Sequence, residues 1–284
     1  MSKKRVAVYI DGFNFYYAIV DYLHKTPFSR NLKWLDYKQL IEKKILKGCK
    51  DVDKSSLRVN FYTAINTYRP KDSQIKHETY IKALEKSGVK VIKGKYKLRE
   101  VYLSCHLNCS NCNEIIFLRD YNITKDEGVT CHKCKSNLNL SEYKRAQHPE
   151  EKQTDVNIAR DILVDAITDN VDLIYIFSTD SDFVPVVDYI LNVLNPKLEE
   201  YNKNNPEDLK LKKEIVIVAP HTKEVYFKSV EENGQFVKKE FSEPRYKIEN
   251  FTNLGAEEYR LKLGQLSYYQ FPSPYCELKK PLDW

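Results

Sequence analysis

The sequence predicts an α/β fold in which a mostly parallel sheet is covered on both faces by helices. Three observations carry the prediction. Near-continuous aliphatic runs at RVAVYI (5–10), LIYIF (173–177) and EIVIVAPH (214–221) read as strands buried on both sides. Segments with apolar residues at helical spacing separate them, the order that gives parallel strands joined by crossovers. The 284 residues, 42% of them hydrophobic, suffice for one sizeable core and a small inserted module.

Taken in order, Gly12 permits a tight exit from the first strand, and residues 13–24 read as a helix. A second helix is expected over 34–46, with Leu35, Leu40, Ile41 and Ile45 as its apolar positions. RVNFYTAI (58–65) is a strand; 72–87 is a helix with Ile75, Tyr80, Ile81 and Leu84 at helical spacing and Gly88 as its C-cap. The stretch 89–103 reads as one extended strand, so Lys93, Lys95, Lys97 and Arg99, at every second position, fall on one face. That face is either ordinary solvated surface or a stripe that tracks phosphates. Helical spacing returns at 154–168, where Val156, Ala159, Leu163, Ala166 and Ile167 form the apolar side and Asp161 and Asp165 read as solvated charges. Residues 183–194 form a helix that tolerates Pro185 only in its first turn. The polar stretch 196–213 is a loop or short exposed helix, and 214–221 is the last core strand.

The formal charge of +6, from 46 basic and 40 acidic residues, is compatible with a polyanionic partner. The 21 tyrosines could stack on bases, although most tyrosines simply fill core edges with the hydroxyl wet. No stretch approaches the roughly 18 apolar residues of a membrane span, and MSKKRVAVYID lacks the apolar run of a signal peptide. The expectation is a cytoplasmic protein whose cysteines stay reduced unless they hold metal.

In parallel α/β sheets, function sits beyond the carboxyl ends of the strands, where strand order reverses. Asp11 ends the first strand there, STDSDF (178–183) brings Asp180 and Asp182 to the same edge, and Asp155 opens a helix that starts near Thr154. Singly, each Asp reads as a helix cap or first-turn anion. Together they repel one another and call for a cation, and an oxygen-only site suits Mg²⁺ or Mn²⁺. Such a centre lowers the pKa of a bound water and stabilises a leaving oxygen, which is hydrolytic phosphoryl chemistry. Ser178 and Thr179 could hold a phosphate or a metal-bound water; Asn14 could donate to a phosphate or orient a carboxylate. Glu150 and Glu151 could approach the cluster, though their spacing does not require it.

DGFN (11–14), KQTDVNIARDILVDA (152–166) and STDSDF, in this order, resemble the NYN domain family of PIN-like nucleases, and FPSPYCELKKPLDW resembles the C-terminal pattern of NYN proteins. The resemblance implies a three-layer α/β/α sandwich and metal-dependent cleavage of RNA rather than DNA. It places Asp11, Asp155, Asp180 and Asp182 as the acidic cluster with Asn14 beside it, and a homodimer is an assembly it allows. The nuclease domain would comprise 1–103 and 146–284, its core running to about 221 and an extension covering 222–284. The alternative is a non-catalytic nucleic-acid-binding or regulatory scaffold, which would have little reason to gather negative charge beside a polyanion. A haloacid-dehalogenase phosphatase would need a second Asp where Phe13 stands, and no GxxxxGK[ST] occurs.

Residues 104–145 interrupt the alternation. Cys109 with Cys112 and Cys131 with Cys134 are two CxxC pairs 18 residues apart, the spacing of a Cys₄ zinc ribbon. Cys105, His106 and His132 are alternate ligands. A closed site of this kind is structural, since it keeps no open position for substrate. The ribbon could grip substrate or a partner protein, or stabilise the insertion; Cys49 and Cys276 read as structural thiols.

Overall fold

The computed structural model describes residues 3–25, 32–102, 106–117, 129–138, 145–221, 223–232, 235–244 and 246–281. Along the chain run β1 (Lys4–Asp11), α1 (Gly12–Lys25), α2 (Tyr37–Leu40), β2 (Val52–Thr63), α3 (Lys71–Lys86) and β3 (Lys90–Lys93). An inserted set follows: β4 (Lys95–Tyr102), β5 (His106–Asn108), β6 (Ile115–Phe117), β7 (Val129–Thr130), β8 (Asn137–Leu138) and β9 (Arg145–Lys152). Then come α4 (Thr154–Ile167), β10 (Leu173–Phe177), α5 (Val184–Asp188), α6 (Asn195–Asn204), β11 (Glu214–Pro220), β12 (Lys223–Glu232), β13 (Gln235–Pro244), α7 (Glu249–Thr252) and β14 (Glu257–Leu261). By its internal contacts the chain divides into two compact units, Met1–Lys95 with Lys152–Trp284, and Tyr96–Glu151.

The larger unit is built on a six-stranded sheet in the order β14-β11-β10-β1-β2-β3, and every pairing is parallel. Alternation along β1 sorts its side chains between two layers. Val6, Val8 and Ile10 join Phe15 and Ile19 of α1 and Ala83 and Leu84 of α3 on one face; Ala7 and Tyr9 join Ile158, Ile162 and Ala166 of α4 on the other. The result is a three-layer α/β/α sandwich. Each aliphatic side chain buried this way contributes about 1.5–3 kcal/mol, so β1 is a rigid mount for whatever stands at its end.

Several expected elements change form. The second helix begins at Tyr37, runs one α-turn and continues as a π-helical turn over Ile41–Ile45; Leu35 instead bridges to Gln270. The stretch 89–103 is not one strand: β3 belongs to the main sheet, Gly94 breaks the run, and β4 pairs with β9. A side chain at Gly94 would meet Thr154 Oγ1 at 2.6 Å and the Lys152 carbonyl at 2.7 Å. The apolar side of α4 is Ile158, Ile162 and Ala166, while Val156 and Ile167 are exposed. Nor is β11 the last core strand. β14 extends the sheet beyond it, and Phe271 packs its ring against Trp34 at 5.8 Å. None of the described helices is long and apolar enough to cross a membrane.

Candidate functional site

Strand order reverses between β1, whose chain leads on to β2, and β10, which leads to β11 on the opposite side. Asp11 is the last residue of β1, and Ile10 pairs with Phe177, the last residue of β10. The switch point therefore puts Asp11 beside Ser178. Asp11 is 6% exposed; its Oδ1 accepts from the Asn14 backbone N–H at 3.0 Å and its Oδ2 from the Ser178 hydroxyl at 3.1 Å. Among the described residues it has no cationic partner. Burial pushes its carboxyl up from the ordinary 3.8 to about 6; the Asn14 and Ser178 bonds oppose that, while Asp155 and Asp180 add to it. Gly12 lets the chain turn here, because a side chain would strike the Phe61 ring and the Tyr62 carbonyl, both at 2.6 Å.

Asp155 stands exposed in the first turn of α4, its carboxyl raised by desolvation and then by the negative charges of Asp180 and Asp182. The cap of that helix is Gln153, held at φ 81; Thr154 is the first helical residue and is buried. A non-glycine residue in this left-handed conformation is uncommon and stores strain beside the site. Asp180 is half-buried, and its Oδ1 accepts from the Asp182 backbone N–H at 3.0 Å, opening the short 3₁₀ turn Ser181–Phe183; Asp182 is exposed. The structure thus brings all four predicted carboxylates within electrostatic reach on one edge. Their spacing is wider than a closed cage: among the described residues, only the four cysteines form a group of three or more ligating side chains with donor atoms within 4.8 Å of one another. A hard cation that keeps several waters fits such an open, all-oxygen donor set.

Ser178 has a different place from the one expected. It is 1% exposed, its hydroxyl proton goes to Asp11, and its oxygen accepts from the Asp180 backbone N–H at 3.2 Å. It therefore orients the Asp11 carboxylate and tethers the Asp180 backbone instead of holding phosphate. Asn14 Oδ1 accepts from the Thr179 backbone N–H and hydroxyl at 3.3 and 3.4 Å, which ties α1 to the end of β10 and turns the Asn14 NH₂ donors the other way. Asp161 and Asp165 are not solvated charges: Tyr62 donates to Asp161 at 2.8 Å, and Asp165 takes both the Tyr9 hydroxyl and Arg58.

The family model described as NYN domain matches residues 5–193, more than half of the chain. The chain belongs to the NYN domain family. Domains of this family are generally nucleases. A curated relative, the 6-hydroxy-3-succinoylpyridine 3-monooxygenase HspA of Pseudomonas putida (strain DSM 28022 / S16), is 28% identical over 202 residues, which are 66% of this chain and 55% of HspA. The chain thus spans about half the length of that relative. A crystal structure of a protein of unknown function from Vibrio parahaemolyticus RIMD 2210633 overlaps 91% of this chain and 92% of its own at 14% identity and a TM-score of 0.38, too low to carry an argument.

Two groups on the NYN core escape the sequence reading. His77 accepts or donates at 3.1 Å to Thr63 Oγ1 at the end of β2 and meets the Phe13 ring edge-on; burial, then nearby Lys93, pushes its pKa down to about 4, so it is neutral. Its spacing with Tyr80, Ile81 and Leu84 is the available signal that it faces inward. The second group is the aromatic run Phe13 to Tyr17, which in sequence reads mainly as helix packing behind the site; only Phe15 is fully buried, and Tyr16 and Tyr17 face solvent.

Within the inserted unit the sulfurs pair closely, Cys109 with Cys134 at 3.5 Å and Cys112 with Cys131 at 3.6 Å. Two matching backbone turns present them. The Cys109 carbonyl accepts from Asn113 and that of Cys131 from Lys135, with Asn113 at φ 55 and Lys135 at φ 60. The Ser136 hydroxyl, first, and its backbone bring the Cys134 thiol down to about 5. Against the Glu114 backbone bond, desolvation and the neighbouring sulfurs push Cys112 up to about 12, so without a metal the four sulfurs do not all lose their protons together. This donor set fits zinc in a closed, structural site. His132 turns away to Glu114 at 3.5 Å, the side chain of His106 is not described, and Cys105 lies outside the described residues. Lys95, Lys97 and Arg99 are exposed on β4, where Arg99 pairs with Glu150 at 3.6 Å, while Lys93 ends β3; the four do not share one continuous strand face. Glu151 belongs to the same inserted unit.

Proposed function

We propose that the protein is a metal-dependent endoribonuclease. The observation that carries the reading is a buried carboxylate, Asp11, with no cationic partner among the described residues, at the switch point beside Asp155 and Asp180. Asp11, Asp155, Asp180 and Asp182 would hold Mg²⁺ or Mn²⁺, which when bound supplies Lewis acidity and a lowered pKa for coordinated water. Ser178 and the Asn14 backbone fix the Asp11 carboxylate, and Asp182 anchors Asp180 through its own backbone N–H. The Asn14 amide, steadied by Thr179, is placed to donate to a phosphate oxygen. Lys93 and Lys95 of the larger unit would supply positive surface for the backbone of the substrate, RNA rather than DNA, and Lys97 and Arg99 are the basic residues that the inserted unit would offer it. A structural zinc held by Cys109, Cys112, Cys131 and Cys134 completes the chain, with cytoplasmic residence and a homodimer as the accompanying expectations. The monooxygenase name of HspA belongs to that protein, of which this chain spans only about half.

The test is incubation with single-stranded RNA, structured RNA and DNA in Mn²⁺, Mg²⁺ or EDTA, beside an Asp180→Asn/Asp182→Asn variant. Metal-dependent RNA cleavage that disappears in the variant is expected. RNA left intact under every metal condition overturns the reading and leaves the scaffold alternative.

A further inference from the structure

We infer that the solvent face of the first two turns of α1 is a stacking platform for unpaired bases of a single-stranded nucleic acid, lying next to the carboxylates. The inference rests on the nuclease reading for its ligand and on α1 itself for its form. α1 buries Gly12, Phe15, Ala18 and Ile19 against the sheet. A helix of this kind normally carries charge on its other side. Here residues 12–20 carry none, and the outward positions are aromatic: Tyr16 is 37% exposed and Tyr17 60%.

These rings are ordered on one another. Phe13 and Tyr17 lie with centroids 6.4 Å apart and planes 29° from parallel, and Tyr16 meets Tyr17 edge-on at 5.6 Å. His77 backs Phe13 from α3 at 6.3 Å. Arg69 lies within electrostatic reach of the Tyr16 hydroxyl, in a turn that Gln74 pins through the carbonyls of Thr67 and Arg69. Tyr17 stands six residues beyond Asp11, about 9 Å along the helix at the usual rise, so a base on it belongs to a nucleotide close to the reacting phosphate.

The chemistry selects the occupant. Four carboxylates repel a polyanion, so affinity at this edge cannot rest on charge alone. Base stacking on an aromatic ring supplies it, is tolerant of sequence, and requires a base free of a duplex stack. Arg69 adds a cation for the adjoining phosphate, completing the usual pairing of aromatic surface and positive charge in single-strand grooves.

The test uses the full chain carrying Asp180→Asn/Asp182→Asn with Mg²⁺, so that probes survive, and measures fluorescence anisotropy with three 12-mers: single-stranded oligoadenylate RNA, the same backbone without bases, and a duplex. Added Tyr16→Ala/Tyr17→Ala should weaken single-strand binding on the order of tenfold, leave the abasic probe unmoved, and spare Tyr17→Phe. Single-strand binding unchanged by the alanines, or lost equally for the abasic probe, overturns the inference, as does failure of the unaltered tyrosine face to prefer single strand over duplex. If the native carboxylate chain binds with the expected tyrosine dependence yet cleaves nothing, the nuclease reading fails and the platform stands.

Discussion

Asp11 illustrates how one residue can oppose the fold that holds it. Its pKa is higher in the folded chain, about 6 against 3.8, so between those values the folded state binds the proton more tightly than the unfolded state. Stability from this group is fully present below pH 3.8 and is lost as pH rises to about 6, a cost of up to about 3 kcal/mol at neutrality. Asp11→Asn should therefore unfold at a higher temperature than the parent at pH 7.5 in EDTA. The difference should vanish near pH 4, and cleavage should be lost throughout. Thermal melts of both chains across this range check it; equal melts at pH 7.5 would remove the electrostatic argument. The candidacy of Asp11 is legible in sequence only beside Asp155, Asp180 and Asp182, since alone it reads as an ordinary turn residue before Gly12. The role of Ser178 is not, since a serine after a strand looks the same whether its proton goes to a phosphate or to an aspartate 167 residues away.

At the scale of elements, the two ends of the central strands do opposite electrostatic work. Where β1, β10 and β11 begin, buried Asp172 takes both Arg5 and the fully buried Lys213, and Asn195 clamps the Lys213 backbone with bonds of 2.8 and 2.9 Å. Desolvation alone would raise the Asp172 pKa, but its bonds to Arg5 and the charge of Lys213 leave it lowered. Lys213→Met should cost about 3–5 kcal/mol, because it withdraws one cation from a buried pair. Urea unfolding measures this, and a loss under 1 kcal/mol would show that Arg5 suffices alone. Such networks hide from sequence reading, as does the phase of α4. Val156 and Ile167 look like core by composition, yet the stripe facing the sheet is Ile158, Asp161, Ile162, Asp165 and Ala166, with its two carboxylates meeting Tyr62 and Tyr9. An exposed aliphatic residue is common, and a hydroxyl arriving from another strand leaves no local trace.

Across the whole molecule, the division into two compact units bears on how metal loss is felt. Zinc analysis of Cys109→Ser/Cys112→Ser protein should show about one fewer ion per chain. Limited proteolysis should then open residues 96–151 while the six-stranded core keeps its unfolding transition. Undiminished zinc, or collapse of the core transition, would contradict this. The CxxC pairs are legible because a metal site needs fixed local spacing. The true extent of the sheet is harder to read: EEYRL (257–261) is too charged to look like a core strand, and only its pairing with β11 makes it one.

That charged strand has a consequence during translation. The ribosome delivers all four carboxylates before residues 257–261 emerge, and until then the IVIVA run of β11 is an open, aliphatic border on which another nascent chain could add a strand. β14 replaces it with a border bearing Glu257, Glu258 and Arg260, so a strand that follows the whole carboxylate set in the chain also serves as a guard against stray strand addition at β11.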